Sequence, residues 1–368
     1  MATVRGVLGL CIAWFACAAS HASDIVLRLV DPPATGSLVI ALYDSANAFG
    51  DFRNPTRQER VPVAPDSDYR LVDVEPGTVA VMVYADLNDN GTLDQNFIGL
   101  PTEPIWLSND YRPAGPPSFE RAAVDVPAGQ NLELDVALID VLGGGQWGVG
   151  IGVITRGSPY VDSTDSLVQP IPVITYFGER LQWVGPNIQY GLWGGGRVRV
   201  AAVANYRVGA YEEDDSPVLA GMGDRDGTLM AGLGVNADLP AGFELGVEYR
   251  HDVLDRIGGG VARIAASKAF QFGVVRLSPT VGVNWVSGAT GDYEYGVDSS
   301  VANALRPAYR VGSSISTDIG INALIELSER WRGVVSVSAE SLPDEITDSP
   351  IVDEDRLITG FAAIAYIF

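Results

Sequence analysis

The chain has 368 residues, a formal net charge of −22 and a single lysine, Lys268, among its 24 lysines and arginines. Such acidity argues against nucleic acid, because displacing counterions from phosphate needs a basic patch. No apolar run reaches the roughly 18 to 20 residues of a membrane-spanning helix, so a helix bundle is excluded, whereas 42 glycines are compatible with Gly-rich strands.

The chain opens on an export signal. Arg5 is its basic start, Val7 to Ala18 its apolar centre, and AASHAS supplies small residues for cleavage after Ala22, so residues 1–22 read as a signal peptide. Cys11 and Cys17 both fall inside it, and Trp14 and Phe15 stand where a lipoprotein site needs small residues. The mature chain is left without a thiol, and therefore without a disulfide.

Residues 23–140 carry short β-branched runs between Pro-rich turns. Strands are predicted at Ile25–Leu29, Ser37–Tyr43, Tyr69–Val74, Val79–Tyr84, Glu120–Val126 and Asn131–Ile139, which describes a β-sandwich. After the fourth, DLNDNGTLD sets Asp86, Asn88, Asn90 and Asp94 at positions 1, 3, 5 and 9 of a calcium loop, with Gly91 at the sixth. Position 12 is Phe97, where an EF-hand needs a bidentate acid, so calcium requires Glu103 or Asp110 to fold over. The alternative is an Asx-rich hairpin turn whose side chains bond to backbone.

Residues 141–368 change to long, Gly-rich, alternating segments. Twelve are predicted: Gln146–Thr155, Ile171–Phe177, Leu181–Val184, Ile188–Trp193, Arg197–Ala210, Gly227–Leu239, Phe243–Val253, Gly260–Phe270, Gly273–Val286, Ile315–Ser328, Trp331–Glu340 and Arg356–Phe368. Short turns such as FGER, LPAG and SERW occupy every second connection. Longer loops occupy the others, apart from the GPN connection. That asymmetry marks a transmembrane antiparallel barrel with tight periplasmic turns and long external loops. An even strand number brings both barrel ends, and with them residues 23–140, to the periplasmic side.

Within FELGVEYR, Phe243, Leu245, Val247 and Tyr249 share one face, and Glu244, Glu248 and Arg250 the other. The same register puts Arg199, Arg207, Arg276, Asp318, Asn322 and Glu326 on the charged face, which in a barrel is the lumen. Inward arginines and acids can line a pore or pair and close it. Trp147, Trp183, Trp193, Trp285 and Trp331 fall near strand ends, as an aromatic girdle would. Tyr366 and Phe368 end the last strand on one face, the form in which such barrels present themselves to their assembly machinery. The acidic loops EEDDSPVLAGMGDRD and SLPDEITDSPIVDED map to the external side and read as solubilising surface; the alternatives are divalent-cation bridging to lipopolysaccharide and a surface for a basic partner. His251 begins a loop without a serine nucleophile motif, which disfavours hydrolase chemistry.

The stretches WGVGIGV, PIPVITYFGERLQWVGPNIQYGL, GMGDRDGTLMAGLGV and DSPIV make residues 145–368 resemble the MipA/OmpV family. The resemblance implies an outer-membrane barrel, and for some members a scaffold contacting a murein transglycosylase or synthase. VIALYDSANAF and VEPGTVAVMVYADLNDNGTLDQNFIGLPTEPIWLSND make residues 24–140 resemble an uncharacterised bacterial secreted-domain family. The expectation is an all-β, non-enzymatic envelope protein in contact with outer-membrane lipid and barrel-assembly machinery. It anchors murein machinery through its periplasmic domain; the alternatives are a passive porin and a surface adhesin.

Overall fold

The computed structural model describes residues 22–368 apart from 51, 53, 65–67, 97–99, 114–116, 142, 144, 164–166 and 195–196. The signal-peptide expectation, Ala22 excepted, lies outside the described residues, and so does Phe97.

The amino-terminal strands are β1 (Ser23–Val30), β2 (Ser37–Tyr43), β3 (Arg57–Pro62), β4 (Asp68–Val74), β5 (Gly77–Asp86), β6 (Ile105–Leu107), β7 (Val124–Val126) and β8 (Leu132–Ala137). One sheet has the order β4-β1-β8, with β1 and β8 parallel; the other has β3-β2-β5-β6, with β7 on β5. Ile25, Leu27 and Leu71 of the first sheet meet Leu38, Ile40, Val81 and Val83 of the second in one apolar core. The alternate residues Val39, Ala41, Tyr43, Ala80 and Met82 form a second core on the far face, with Phe49 of α1 (Ala46–Gly50), Ala122 of α2 (Phe119–Ala122) and Tyr111. Burial on both faces explains why SLVIALY and TVAVMVYA run apolar without alternating. Two expectations need correction. Of the strand expected at Glu120–Val126, residues to Ala122 lie in α2 and only Val124–Val126 pairs. The edge strand RQERVP was not expected at all, since none but its fifth residue is a strong strand former.

The barrel strands are β9 (Gln146–Arg156), β10 (Leu167–Phe177), β11 (Leu181–Val184), β12 (Asn187–Trp193), β13 (Val198–Arg207), β14 (Thr228–Asp238), β15 (Phe243–Asp252), β16 (Gly260–Lys268), β17 (Phe270–Phe272), β18 (Val275–Val286), β19 (Ser314–Glu326), β20 (Trp331–Ser341) and β21 (Arg356–Ile367). β16 and β17 are successive pieces of one strand, both paired with β18, so the wall has twelve strands. β9 pairs with β21 and closes it, leaving no free sheet edge at the seam. The glycines of WGVGIGV face inward at that closure. A Cβ on Gly150 would stand 2.0 Å from the Ile364 carbonyl oxygen, so only glycine permits this approach.

Apolar side chains alternate outward, with Ile151, Leu233, Val281, Ile319 and Ile364 among those exposed on the wall. Trp147, Trp193, Phe243, Phe272, Trp331 and Phe368 are exposed where the short turns lie. Trp331 and Phe368 both stack edge-on to Tyr366. This is the placement of an interfacial aromatic girdle.

Both barrel ends are covered. At the long-loop end, Tyr160, Leu219, Tyr295, Val311, Ile346 and Ile351, drawn from four different loops, pack into one core. At the short-turn end sits the amino-terminal domain. Asn96 Nδ2 donates to the Gly178 carbonyl at 3.1 Å, Arg276 Nη1 to the Gly50 carbonyl at 3.3 Å, and the Gln271 backbone N–H to Asn47 Oδ1 at 3.3 Å.

Candidate functional site

The barrel interior and its junction with the amino-terminal domain gather most of the charged residues singled out in the sequence. In β15 the alternation leaves Val247 and Tyr249 exposed while Glu248 and Arg250 turn inward, where the Arg250 guanidinium contacts Glu248 and donates to Asn205 Oδ1 at 2.6 Å. Arg199 bonds Asp238 through both terminal nitrogens, at 2.9 and 3.3 Å, and lies 3.6 Å from Glu244. Asp318, 5% exposed, receives Arg263 at 2.8 Å and Asn284 at 2.9 Å. Asn322 stands four residues further along the same face of the strand. Such pairs compensate each other's desolvation and leave little uncompensated field inside the wall.

Arg207 closes the long-loop end. It makes a two-pronged contact with Glu294 of α3 (Gly288–Tyr295), Nε to Oε1 at 2.6 Å and Nη2 to Oε2 at 2.8 Å. Arg156 stands 3.9 Å from the same carboxylate, and Tyr160 donates to the Glu294 carbonyl at 3.1 Å. Burial pushes the Glu294 carboxyl up, but the two guanidinium groups outweigh it and hold it below the ordinary glutamate range.

Glu326 closes the short-turn end. Tyr111 of the amino-terminal domain donates its hydroxyl to Oε2 at 2.7 Å, and Arg121 meets Oε1 at 3.2 Å, with Arg332 of β20 at 3.4 Å. Burial, and next the bond to Glu326, raise the Tyr111 phenol well above its usual range, so it stays a donor. The sequence marked Glu326 and Arg276 but not their partners. Tyr111, Arg121 and Gly50 sit in irregular or short elements without a period to reveal them.

The calcium-loop residues form a self-contained turn. Asp86 is fully buried; its Oδ1 accepts from the Asn90 N–H at 3.0 Å, its Oδ2 from the Gly91 N–H at 2.8 Å, and Arg60 stands 2.9 Å from Oδ2. Asn88 and Asn90 turn their amide groups to Asp94, donating at 2.6 and 2.9 Å. Glu103 accepts from the Leu87 and Asp94 N–H groups, at 2.9 and 3.0 Å. Among the described residues, no group of three or more His, Cys, Asp or Glu is gathered as a metal ion would need. His251 points outward from β15, with the Tyr249 hydroxyl 3.2 Å from Nδ1. Tyr366 receives Arg330 at 2.8 Å, and the Phe368 N–H bonds the Trp147 carbonyl at 2.9 Å, joining the chain end to β9.

Comparison with known proteins divides the chain at the same place. The family model described as "MltA-interacting protein MipA" matches residues 149–368, and one described as "Uncharacterized protein conserved in bacteria (DUF2141)" matches residues 32–134. The MltA-interacting protein of Escherichia coli (strain K12) is 30% identical over 60% of this chain and 89% of its own length. Outer membrane protein Omp26La of Vibrio anguillarum is 27% identical over 61% and 87%, and outer membrane protein OmpV of Vibrio cholerae is 26% identical over the same shares. The chain, a closed twelve-stranded barrel carrying an added amino-terminal domain, belongs to the MltA-interacting protein MipA family.

Proposed function

We propose that this outer-membrane barrel is a non-enzymatic anchor, which holds its amino-terminal domain at the periplasmic mouth as a platform for murein machinery. The observation that carries this reading is the junction at Glu326. A tyrosine and an arginine of the domain converge on one buried carboxylate of the wall, so the domain is fixed in the mouth rather than tethered beside it. The packed loop core covers the other end, which favours an anchor over a passive porin. Short turns face the periplasm in outer-membrane barrels, which supports a murein-side position for the domain. The MipA family model matches the barrel, residues 149–368, so a partner shared with the Escherichia coli protein would bind this half, and the domain would add a second surface. The exposed terminal Phe368, beside Tyr366, is then the signal read by the barrel-assembly machinery.

Two measurements test the reading together. The full chain in planar bilayers should show no steady conductance, and purified full chain on beads should retain a lytic murein transglycosylase. A large, stable conductance with no retention would replace the anchor by a porin.

A further inference from the structure

Between the barrel wall and the amino-terminal domain lies a cavity of about 320 Å3 whose lining surface is mainly apolar, although Arg199, Asp238, Glu244, Arg276 and Arg332 also reach it. Val173, Val184 and Phe361 face it from the barrel, and Phe52, Leu100 and Val141 from the domain. Two polar side chains in its lining, each 6% exposed, hold an atom with no hydrogen-bond partner among the described residues: Oγ1 of Thr175 and Nε of Arg199. An apolar chamber at a domain junction with a few converging polar atoms is the usual form of a small-molecule site.

The wall beside this chamber is incomplete. β11 has four residues, and the last rung joining β10 to the β11–β12 hairpin is the Gly185 N–H to the Ile174 carbonyl, at 3.0 Å. From Leu167 to Val173, β10 pairs with β9 on one side and with no described residue on the other. β13 loses its own neighbour at the same level, where the Tyr206 N–H bonds the Pro186 carbonyl. At the level of the hairpin tip three ideal interstrand spacings, roughly 14 Å, separate β10 from β13, and above it Leu167, Val168 and Gln169 share a pocket with Tyr206 and Val208. Because Ile174 turns its carbonyl toward the hairpin, every second residue before it turns its backbone polar groups toward the gap. Two of these are Pro172 and Pro170, which have no N–H to leave unpaired against hydrocarbon. The sequence blunts this edge instead of covering it. Val173 and Val184, on the lower rim of the gap, are also wall residues of the chamber.

We infer that the chamber binds a small apolar molecule carrying one hydroxyl or carboxyl group, and that this ligand enters sideways from the bilayer between β10 and β13. The loop core covers one axial route, while at the short-turn end a wider groove between domain and barrel adjoins the chamber at Phe52, Gln95 and Asp238, so the association rate decides between that groove and the lateral route. A cavity of about 150 Å3 holds a benzene ring, so the chamber has room for about two fused rings or an alkyl chain of similar volume. The polar group would bond Thr175 Oγ1 once that hydroxyl, packed on Gly148 in this structure, rotates about its χ1 toward the chamber. This site is independent of the anchor reading and of its tests.

The probe is 6-bromo-2-naphthol, soaked into crystals of the full chain and titrated against the full chain in detergent by calorimetry. Bromine anomalous density should appear against Val173 and Val184, and the naphthol should bind about five-fold tighter than 2-bromonaphthalene, which lacks the hydroxyl. Thr175→Val should abolish that preference. Val173→Trp, or Ala363→Phe if the first variant does not fold, should fill the chamber and weaken both probes at least about ten-fold. In lipid nanodiscs, Val168→Arg at the outer rim should slow association several-fold while leaving Kd unchanged. Density confined to the outer wall, or affinity unchanged in a folded filled variant, would overturn the site. An unaltered association rate in Val168→Arg would overturn the lateral route.

Discussion

The two halves of this molecule use the same strand alphabet in opposite senses. In the amino-terminal domain Ile25, Leu27 and Ile40 alternate into a dry core, while Arg28 and Glu133 pair on the surface. In the barrel, Ile319, Ile321 and Val281 point out, and the partnered carboxylates and guanidinium groups point in. Nothing in a single strand distinguishes the two; the solvent on each face does. The lesson concerns what fixes a side chain. A domain core is closed by protein and cannot refill, whereas lipid flows into any space that a wall residue gives up.

That difference gives the largest expected contrast. Ile40→Ala should cost about 2 to 5 kcal/mol, because the core loses both transfer free energy and contacts around a new cavity. Ile319→Ala, with its side chain 65% exposed on the wall, should lose only the transfer part, up to about 2 kcal/mol at ~0.8 kcal/mol per methylene. Urea unfolding of the two full-length variants, followed by a fluorophore in each half, measures both. Equal costs would mean that the wall is packed against protein and not lipid.

The register of FELGVEYR gives the next effect. Val247→Arg should cost about 2 to 4 kcal/mol, since it drives a charge into hydrocarbon near mid-strand. Glu248→Gln should be milder, because its neighbour Arg250 keeps the bond it donates to Asn205. Equilibrium unfolding in liposomes would reverse that order if the register were displaced by one residue.

How much of this was legible depended on the range over which each feature repeats. The long barrel strands were, because alternation over nine or more residues leaves little choice, and the short β11 and β12 were placed by the turns around them; all twelve expected segments overlap wall strands. The start of β10 was not: Pro170 interrupts the run, and a proline ordinarily argues against a strand interior, a rule that the open edge suspends. The inward residues could be named singly but not paired, since Arg263 with Asp318 spans 55 positions and Arg207 with Glu294 spans 87. The loop core was invisible for a related reason. Tyr160, Leu219, Val311 and Ile351 are isolated apolar residues in polar loops, and only the closed barrel brings those loops together.

The two mouths sharpen the comparison further. Glu326→Gln removes a charge that two cationic groups and Tyr111 have in common, and Tyr111→Phe removes one donor; each should cost about 1.5 to 3 kcal/mol of docking. Hydrogen exchange of α2 in the full chain would report it, with protection lost there and kept in β2. At the loop end the readout is pH. The Glu294 carboxyl in the folded state titrates below its ordinary value of 4.5. Its contribution is therefore complete above that value and fades as pH falls through the depressed folded one. Protease sensitivity of the loops should be flat above a pH of about 5 and rise only in stronger acid. A rise near neutrality would assign the loop core to another group.

The smallest expected effect is that of calcium on the turn after β5. A cation there would have to displace Arg60 from Asp86, and turn the amide groups of Asn88 and Asn90 away from Asp94 so that their oxygens face inward. Against those losses it would gain ligands from a loop whose twelfth position is Phe97 in place of an acid. Ligand binding raises stability by RT ln(1 + [L]/Kd), about 2.7 kcal/mol at a hundredfold excess over Kd, so a site with Kd of about 10 µM or tighter cannot stay silent at millimolar calcium. The expected outcome is a melting curve of the domain unchanged by calcium, magnesium or chelator. Asp86→Ala should nonetheless destabilise it by about 1 to 3 kcal/mol, since two backbone N–H groups and Arg60 lose their acceptor together. A calcium-dependent rise in Tm that vanishes in Asp86→Ala would show that Arg60 yields to a cation, and that the turn is a metal loop after all.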